Sequence, residues 1–151
     1  MTSILQTIDS AAKFQKLFDK GNPIASGAFG VVSKVVYRKT GLVVAAIKLT
    51  DLSKLDRSLH RYSHQEIEMM KKFRHRNVAT LFASYCDGNQ LVSILELCQC
   101  DLNELIKQRR NKQPLPTDQV LDYCSQMLHG LEYLHARGVI HRDLKPTVTI
   151  D

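Results

Sequence analysis

Short stretches rich in apolar, β-branched residues recur along the first part of the chain and predict β-strands. The clearest is V-V-S-K-V-V-Y at 31–37, and a nearly continuous apolar run follows at 42–49. Two further predicted strands, 78–85 and 91–97, are separated by turn-forming residues. Residues 1–20 show no clear period and are interpreted as a lead-in segment. The early part of the chain is therefore predicted to form a sheet.

Apolar residues at helical spacing predict helices at 63–73, 101–110 and 117–137. Thr117 is expected to cap the last of these, and Gly138 follows its end. Its apolar stripe is wide enough for a helix buried on more than one side. That stripe comprises Val120, Cys124, Met127, Leu131 and Leu134. With strands early and helices late, the predicted fold class is α+β.

Composition narrows the class of protein. An apolar fraction of 44% and a charged fraction of 24% are ordinary for a globular domain with a real core. There is no apolar run of transmembrane length and no export signal at the N-terminus, so we expect no membrane partner and a cytoplasmic or nuclear location with reduced thiols.

The net charge of +6 suits an anionic ligand. The basic runs at 71–76 and 109–112 fall at predicted helix ends, where positive charge is favourable in any case, so nucleic acid is not the expected partner.

Two small groups of potential metal ligands occur in the sequence. Cys98 and Cys100 with a histidine would make a zinc site conceivable. His60 and His64, four residues apart, could share a helix face, but they lack a third ligand. The favoured interpretation of the histidines is an exposed pair on a solvated helix, and no metal site is predicted.

Three features carry candidate chemistry. Gly27 and Gly30 lie in the turn before the first predicted strand and would let backbone amides approach a phosphate. Lys48 interrupts the apolar strand, and a buried ammonium there would need a partner. Glu66 on the next predicted helix could supply it. In the loop after the last helix, Asp143 could accept a proton beside the cation of Lys145.

In this order, the pieces resemble the eukaryotic protein kinase family. The resemblance rests on the glycine-rich turn, A-A-I-K ending at Lys48, Glu66, a hinge-like L-E-L-C at 95–98 and H-R-D-L-K-P at 141–146. The lysine after H-R-D-L looks like the serine/threonine branch. The region from Gln65 to Val78 suggests a NIMA-related (Nek) kinase.

The resemblance implies a fold and domain boundaries. We expect a kinase-like N-lobe, with an antiparallel sheet and one αC-type helix, followed by a hinge and the first helices of a C-lobe. The implied boundaries are a lead-in at 1–13, an N-lobe at about 14–95, a hinge at 96–100 and the start of a C-lobe at 101–151.

The resemblance also implies that the chain binds ATP. The backbone of Gly27 to Gly30 would cover its phosphates. The nucleotide-binding residues implied in and around this turn are Ile24, Ala25, Ser26, Gly27, Ala28, Phe29, Gly30 and Val31. Lys48, paired with Glu66, would hold the α- and β-phosphates. Val32 and Ala46 would flank adenine, with Leu95 as gatekeeper beside it.

The remaining implied roles lie further along the chain. The backbone from Glu96 to Cys98 would hydrogen-bond adenine, and Asp101 would reach the ribose. The implied catalytic residues are Asp143, which would take the hydroxyl proton, and Lys145, which would steady the γ-phosphoryl group.

The sequence departs from the family pattern at three places. Ala25 replaces the first loop glycine, and Val148 stands where the family has a magnesium-binding asparagine. The sequence ends at Asp151 without D-F-G or A-P-E, so both expected magnesium ligands are missing. We therefore expect a chain that is inactive alone. The alternative is a pseudokinase-type binding module, with a protein partner covering the long helix.

Overall fold

The computed structural model describes residues 1–27, 30–109, 114–145 and 149–150. The chain divides into two compact units. The first comprises residues 1–73 and 80–97, and the second comprises 74–79 and 98–151.

The first unit is built on a five-stranded antiparallel sheet. Its strands are β1 (Phe18–Gly27), β2 (Gly30–Tyr37), β3 (Leu42–Asp51), β4 (Leu81–Asp87) and β5 (Gln90–Leu95). The spatial order is β1-β2-β3-β5-β4, so β3 lies at the centre of the sheet. The predicted α+β class and kinase-like sheet are confirmed. Strand β1 was not predicted, because its glycines, proline and lysine interrupt the apolar pattern that is typical of a strand.

The N-terminal residues belong to the core of this unit. Helices α1 (Thr2–Leu5) and α2 (Ala11–Leu17) precede β1, and Ser10 caps α2 by accepting a hydrogen bond from the Lys13 N–H. The main apolar cluster joins side chains from these helices to the sheet: Leu5, Ile8, Phe14, Phe18, Val35, Ala45, Ile47, Ala83, Val92 and Ile94. The segment interpreted as a lead-in therefore contributes apolar side chains to the packed interior.

Helix α3 (Arg57–Met70) follows a 3₁₀ turn at Leu52–Lys54. It begins six residues before the predicted start because Asp56 caps it, accepting hydrogen bonds from the N–H groups of Ser58 and Leu59. Ile67 is its buried residue and packs in a second apolar cluster with Leu52, Leu81 and Leu91.

The second unit contains α4 (Leu102–Gln108), α5 (Thr117–His135) and a short antiparallel pair, β6 (Cys100–Asp101) with β7 (Thr149–Ile150). Thr117 is the first helical residue of α5 rather than its cap. The capping position belongs to Pro116, and no side chain caps this end. Among the described residues, no helix is long and apolar enough to span a bilayer.

Candidate functional site

The glycine-rich turn connects β1 to β2 in the first unit. Gly27 and Gly30 face each other as the last register pair of the two strands. A Cβ placed on Gly30 would lie 2.0 Å from the carbonyl oxygen of Leu49, whereas Gly27 has open space around it. Gly30 is therefore required by the close approach of β2 to β3, and Gly27 leaves its side of the turn open.

The other predicted loop residues flank this turn. Ile24 is exposed on β1, Ala25 pairs with Val32, and Ser26 pairs with Val31. Ala28 and Phe29, also predicted to cover a phosphate, lie outside the described residues. The register thus confirms a hairpin whose tip carries the two glycines.

Lys48 lies directly across from this hairpin. In the sheet it is paired with Val32 on one side and with Ser93 on the other. Ala45 and Ile47 on the same strand belong to the main apolar cluster. Lys48 follows Ile47, so its side chain lies on the opposite face of the sheet, where it is exposed. Strand β3 therefore carries the exposed Lys48 beside β2, the strand that begins at Gly30.

The predicted burial of Lys48 and its ion pair with Glu66 are wrong in this structure. Glu66 is exposed on α3, next to the buried Ile67, and no ion pair within 4.0 Å joins it to Lys48 among the described residues. The prediction assumed that an almost continuous apolar strand is covered on both faces. At Lys48 one face of the sheet is open, so the ammonium can stay hydrated without the ion pair that burial would require.

The hinge-like segment begins where β5 ends. Leu95 pairs with Ala46 on β3, and Ala46 is buried at 6% exposure, on the same strand face as Lys48. The next residue, Glu96, makes two hydrogen bonds with the backbone of Thr80. Its N–H donates to the Thr80 carbonyl (2.9 Å), and its carboxylate accepts from the Thr80 N–H (2.9 Å). Thr80 is a positioning residue that no motif indicated.

Two other predicted nucleotide contacts, Cys98 and Asp101, belong to the second unit, and both are half-buried. The Asp101 carboxylate accepts a hydrogen bond of 2.6 Å from the N–H of Glu104 and caps α4. A local role as a helix cap is therefore established for the residue that the family resemblance assigned to ribose.

The H-R-D-L-K segment is an exposed loop after α5. Lys145 donates to a carboxylate oxygen of Asp143 at 2.7 Å, and the Asp143 N–H donates to Nδ1 of His141 at 3.3 Å. The hydrogen bond and charge of Lys145 hold the pKa of Asp143 below its usual value. Arg142 has a φ of 62°, in the left-handed region that costs a non-glycine residue energy. The loop thus presents an ionised carboxylate beside a cation.

A polar cluster in the second unit fixes α5 before this loop. Tyr133 accepts a hydrogen bond of 2.8 Å from the Arg74 N–H, stacks on His75 with ring centroids 4.7 Å apart, and lies under the Arg137 guanidinium at 3.6 Å. Asn77 donates to Gln126 at 3.1 Å. Sequence reasoning missed this cluster, because its hydrogen bonds join residues 49 and 59 positions apart.

The comparisons with known proteins assign the family. The protein kinase domain family matches residues 18–148, most of the chain. The chain is 35% identical over 123 residues to a cyclin-dependent kinase 2 homolog of Crithidia fasciculata, covering 82% of this chain and 26% of the relative. It is 32% identical over 130 residues to an Aurora kinase of Schizosaccharomyces pombe, covering 86% and 36%. It is 31% identical over 160 residues to the serine/threonine-protein kinase STK11 of Rattus norvegicus, covering 97% and 36%.

The chain belongs to the eukaryotic protein kinase family. It spans about a quarter to a third of the length of these relatives. Because the relatives come from several kinase groups, the Nek assignment stays a prediction.

ATP and magnesium require different groups from the protein, cations and open backbone for the phosphates and oxygen ligands for the metal. An open glycine turn and an exposed ammonium on the neighbouring strand fit a polyphosphate. Magnesium needs oxygen ligands, and valine at position 148, which lies outside the described residues, offers none. Within the described ranges, no group of three or more His, Cys, Asp or Glu side chains could hold a metal ion. The glycine turn and Lys48 therefore suit the phosphates of a nucleotide, and position 148 supplies magnesium with no oxygen ligand.

Proposed function

We propose that this chain binds ATP through its first unit and carries the proton-accepting carboxylate of a serine/threonine kinase in its second. We further propose that these 151 residues do not complete phosphoryl transfer alone. The observation that carries the proposal is the position of Lys48. Its side chain is exposed, and it pairs in register with Val32 on β2, the strand that begins at Gly30.

The first unit supplies the phosphate-binding chemistry. The backbone at Gly27 and Gly30 allows close approach of an anion, and the Lys48 ammonium is accessible to neutralise it. Ala46 and Val32 provide an apolar surface on the same sheet face for a base. Thr80 fixes Glu96 at the start of the segment assigned to adenine recognition.

The second unit supplies proton chemistry. Because Lys145 holds the pKa of Asp143 below its usual value, Asp143 is a carboxylate at neutral pH and can accept a proton from a hydroxyl. The Lys145 ammonium, already beside it, would balance negative charge on a phosphoryl group.

Catalysis by these residues alone would lack metal. General base catalysis typically contributes about 10²- to 10⁴-fold in rate. Phosphoryl transfer depends mainly on positioning and charge neutralisation, in which the metal ions are central. Val148 in the asparagine position therefore argues for nucleotide binding without turnover.

The test is a thermal melt of the purified chain with and without ATP, each with and without magnesium. Lys48→Ala is the test variant. Lys39→Ala is the matched control, because it removes the same charge from the far end of the β2–β3 hairpin. We expect ATP to raise the melting temperature of the wild type and of Lys39→Ala, with no requirement for magnesium, and to leave Lys48→Ala unchanged.

Phosphate transfer to a serine- and threonine-containing protein is measured in parallel with labelled ATP, and none is expected. Turnover that requires magnesium would overturn the proposed inactivity. The absence of any ATP-dependent shift in the wild type would overturn nucleotide binding itself.

A second candidate function is a non-catalytic binding module, and one observation favours it. Leu121 and Leu128 on α5 are 64% and 65% exposed. An apolar groove of about 460 Å³ lies beside this helix, lined by Leu102, Cys124, Met127, Leu128, Leu131, Leu144 and Lys145. Such a face suits a protein partner. ATP binding that persists without turnover, together with a partner that protects α5 from hydrogen exchange, would favour this function.

A further inference from the structure

His60 and His64 form a close pair on α3. They lie one helical turn apart, and their ring centroids are 4.9 Å apart with planes tilted by 43°. Both side chains are half-buried. This corrects the expectation of an exposed pair on a solvated helix, because each ring covers part of the other.

The separation of the two rings suits a shared metal ion. A transition metal binds imidazole nitrogen at about 2.0–2.1 Å, so two nitrogens on one ion lie at most about 4.2 Å apart. The two ring centroids are 4.9 Å apart on neighbouring turns of one helix, which is close to this limit. Neutral imidazole is a ligand that suits zinc, copper and nickel.

We propose that His60 and His64 form a two-histidine site for a divalent transition-metal ion, with water in the remaining positions. No third His, Cys, Asp or Glu completes a protein-only site among the described residues. Glu68, one turn further along, is held by Lys71 at 2.7 Å. The site is therefore open to solvent, and it differs from a closed structural zinc site.

The bound ion would bridge one turn of α3, the helix that also carries Glu66. Because the ion binds only when both histidines are on one helical face, binding stabilises the helix against unfolding. The site uses none of the residues assigned to ATP. Its occupancy and nucleotide binding can consequently be measured separately in the same protein.

The test is calorimetric titration of the chelator-treated chain with zinc chloride and with nickel chloride. We expect one ion per chain and a rise in melting temperature of about 5 °C at saturating metal. His60→Gln and His64→Gln should each weaken binding by about tenfold or more, because each leaves a single imidazole. His129→Gln on α5 is the matched control and should bind like the wild type.

Cobalt absorption separates this site from the thiols. A cobalt complex without a thiolate charge-transfer band is expected for nitrogen and water ligands. A thiolate band, or zinc affinity that is equal in the wild type and both glutamine variants, would assign binding to the cysteines and overturn the proposal. Circular dichroism confirms that each variant is folded, and a wild type that binds neither zinc nor nickel would also overturn it.

Discussion

The two units differ in how far their apolar side chains are buried. In the first, Phe18, Leu5, Ile94 and Val35 are less than 2% exposed, and they come from helix α1 and from three strands of the sheet. Among the described residues of the second, Leu134 at 7% is the buried hydrophobic side chain. The helix α5 nevertheless runs for 19 residues. A periodic apolar pattern thus predicts regular secondary structure in both units. How far the apolar side chains are buried depends instead on the other residues of each unit that pack against them.

The largest expected effect tests this difference directly. Phe18→Ala should lower the free energy of unfolding by about 3–5 kcal/mol, because it opens a cavity in a closed core. Leu121→Ala on α5 removes a side chain that is 64% exposed and should change stability by less than about 0.5 kcal/mol. Chemical denaturation followed by circular dichroism measures both. Equal costs for the two variants would show that the second unit packs as tightly as the first.

The next effect identifies the close-packed part of the second unit. A Cβ on Gly130 would lie 2.6 Å from the carbonyl oxygen of Asn77. In a helix interior, alanine ordinarily gains about 1 kcal/mol over glycine. Gly130→Ala should instead destabilise by about 1–3 kcal/mol, because the clash is with backbone.

Ser125→Ala, at an exposed position of the same helix, is the control and should be neutral or slightly stabilising. Thermal melts of the two variants give the comparison. A stabilised Gly130→Ala would mean that residues 74–79 do not approach α5 closely in solution.

A smaller effect concerns the surface of the first unit. The N–H of Leu59 and the hydroxyl of Ser58 hold the pKa of Asp56 below its usual value. A lowered folded-state pKa contributes stability above the unfolded value, and this contribution is lost as pH falls through the folded value. Asp56→Ala should therefore lower the melting temperature at neutral pH, and its difference from the wild type should shrink as the pH falls below the usual pKa of an aspartate.

Asp56→Asn is the control, because asparagine caps helices about as well as aspartate without a titrating group. It should retain most of the stability at neutral pH and lose less than the wild type on acidification. A pH-independent penalty for Asp56→Ala would show that the cap acts without its charge.

The sequence predicted the elements whose pattern is local. The strands at 31–37 and 42–49 and the helix from Thr117 were found close to their predicted bounds, because apolar spacing and turn residues determine them. The β1 strand was missed, since Gly21 and Pro23 weaken any strand pattern and its edge position with β-bulges tolerates them.

Only those residues of the candidate site that belong to a local sequence motif could be predicted. Glycine spacing located the turn before β2, Thr40 and Gly41 located the turn between β2 and β3, and Lys48 lies on β3 as predicted. The Lys48–Glu66 pair failed because one strand's sequence does not reveal which sheet face is covered. The Thr80 contacts to Glu96 were invisible, because they depend on two chain segments that meet only in the folded unit.

The smallest effect tests the charge arrangement in the second unit, where packing contributes least. Lys145 is the first cause of the lowered pKa of Asp143, through a hydrogen bond of 2.7 Å and through its charge. Lys145→Met should therefore raise the pKa of Asp143 toward its usual value, as measured by NMR titration of the side-chain carboxyl. Lys71→Met is the control: it should raise the pKa of Glu68, its own partner, and leave Asp143 unchanged. Because both pairs are exposed, added salt should weaken both effects. An Asp143 pKa that is indifferent to Lys145→Met would mean that this ion pair does not persist in solution, and the loop would then present its base without the cation assigned to the phosphoryl group.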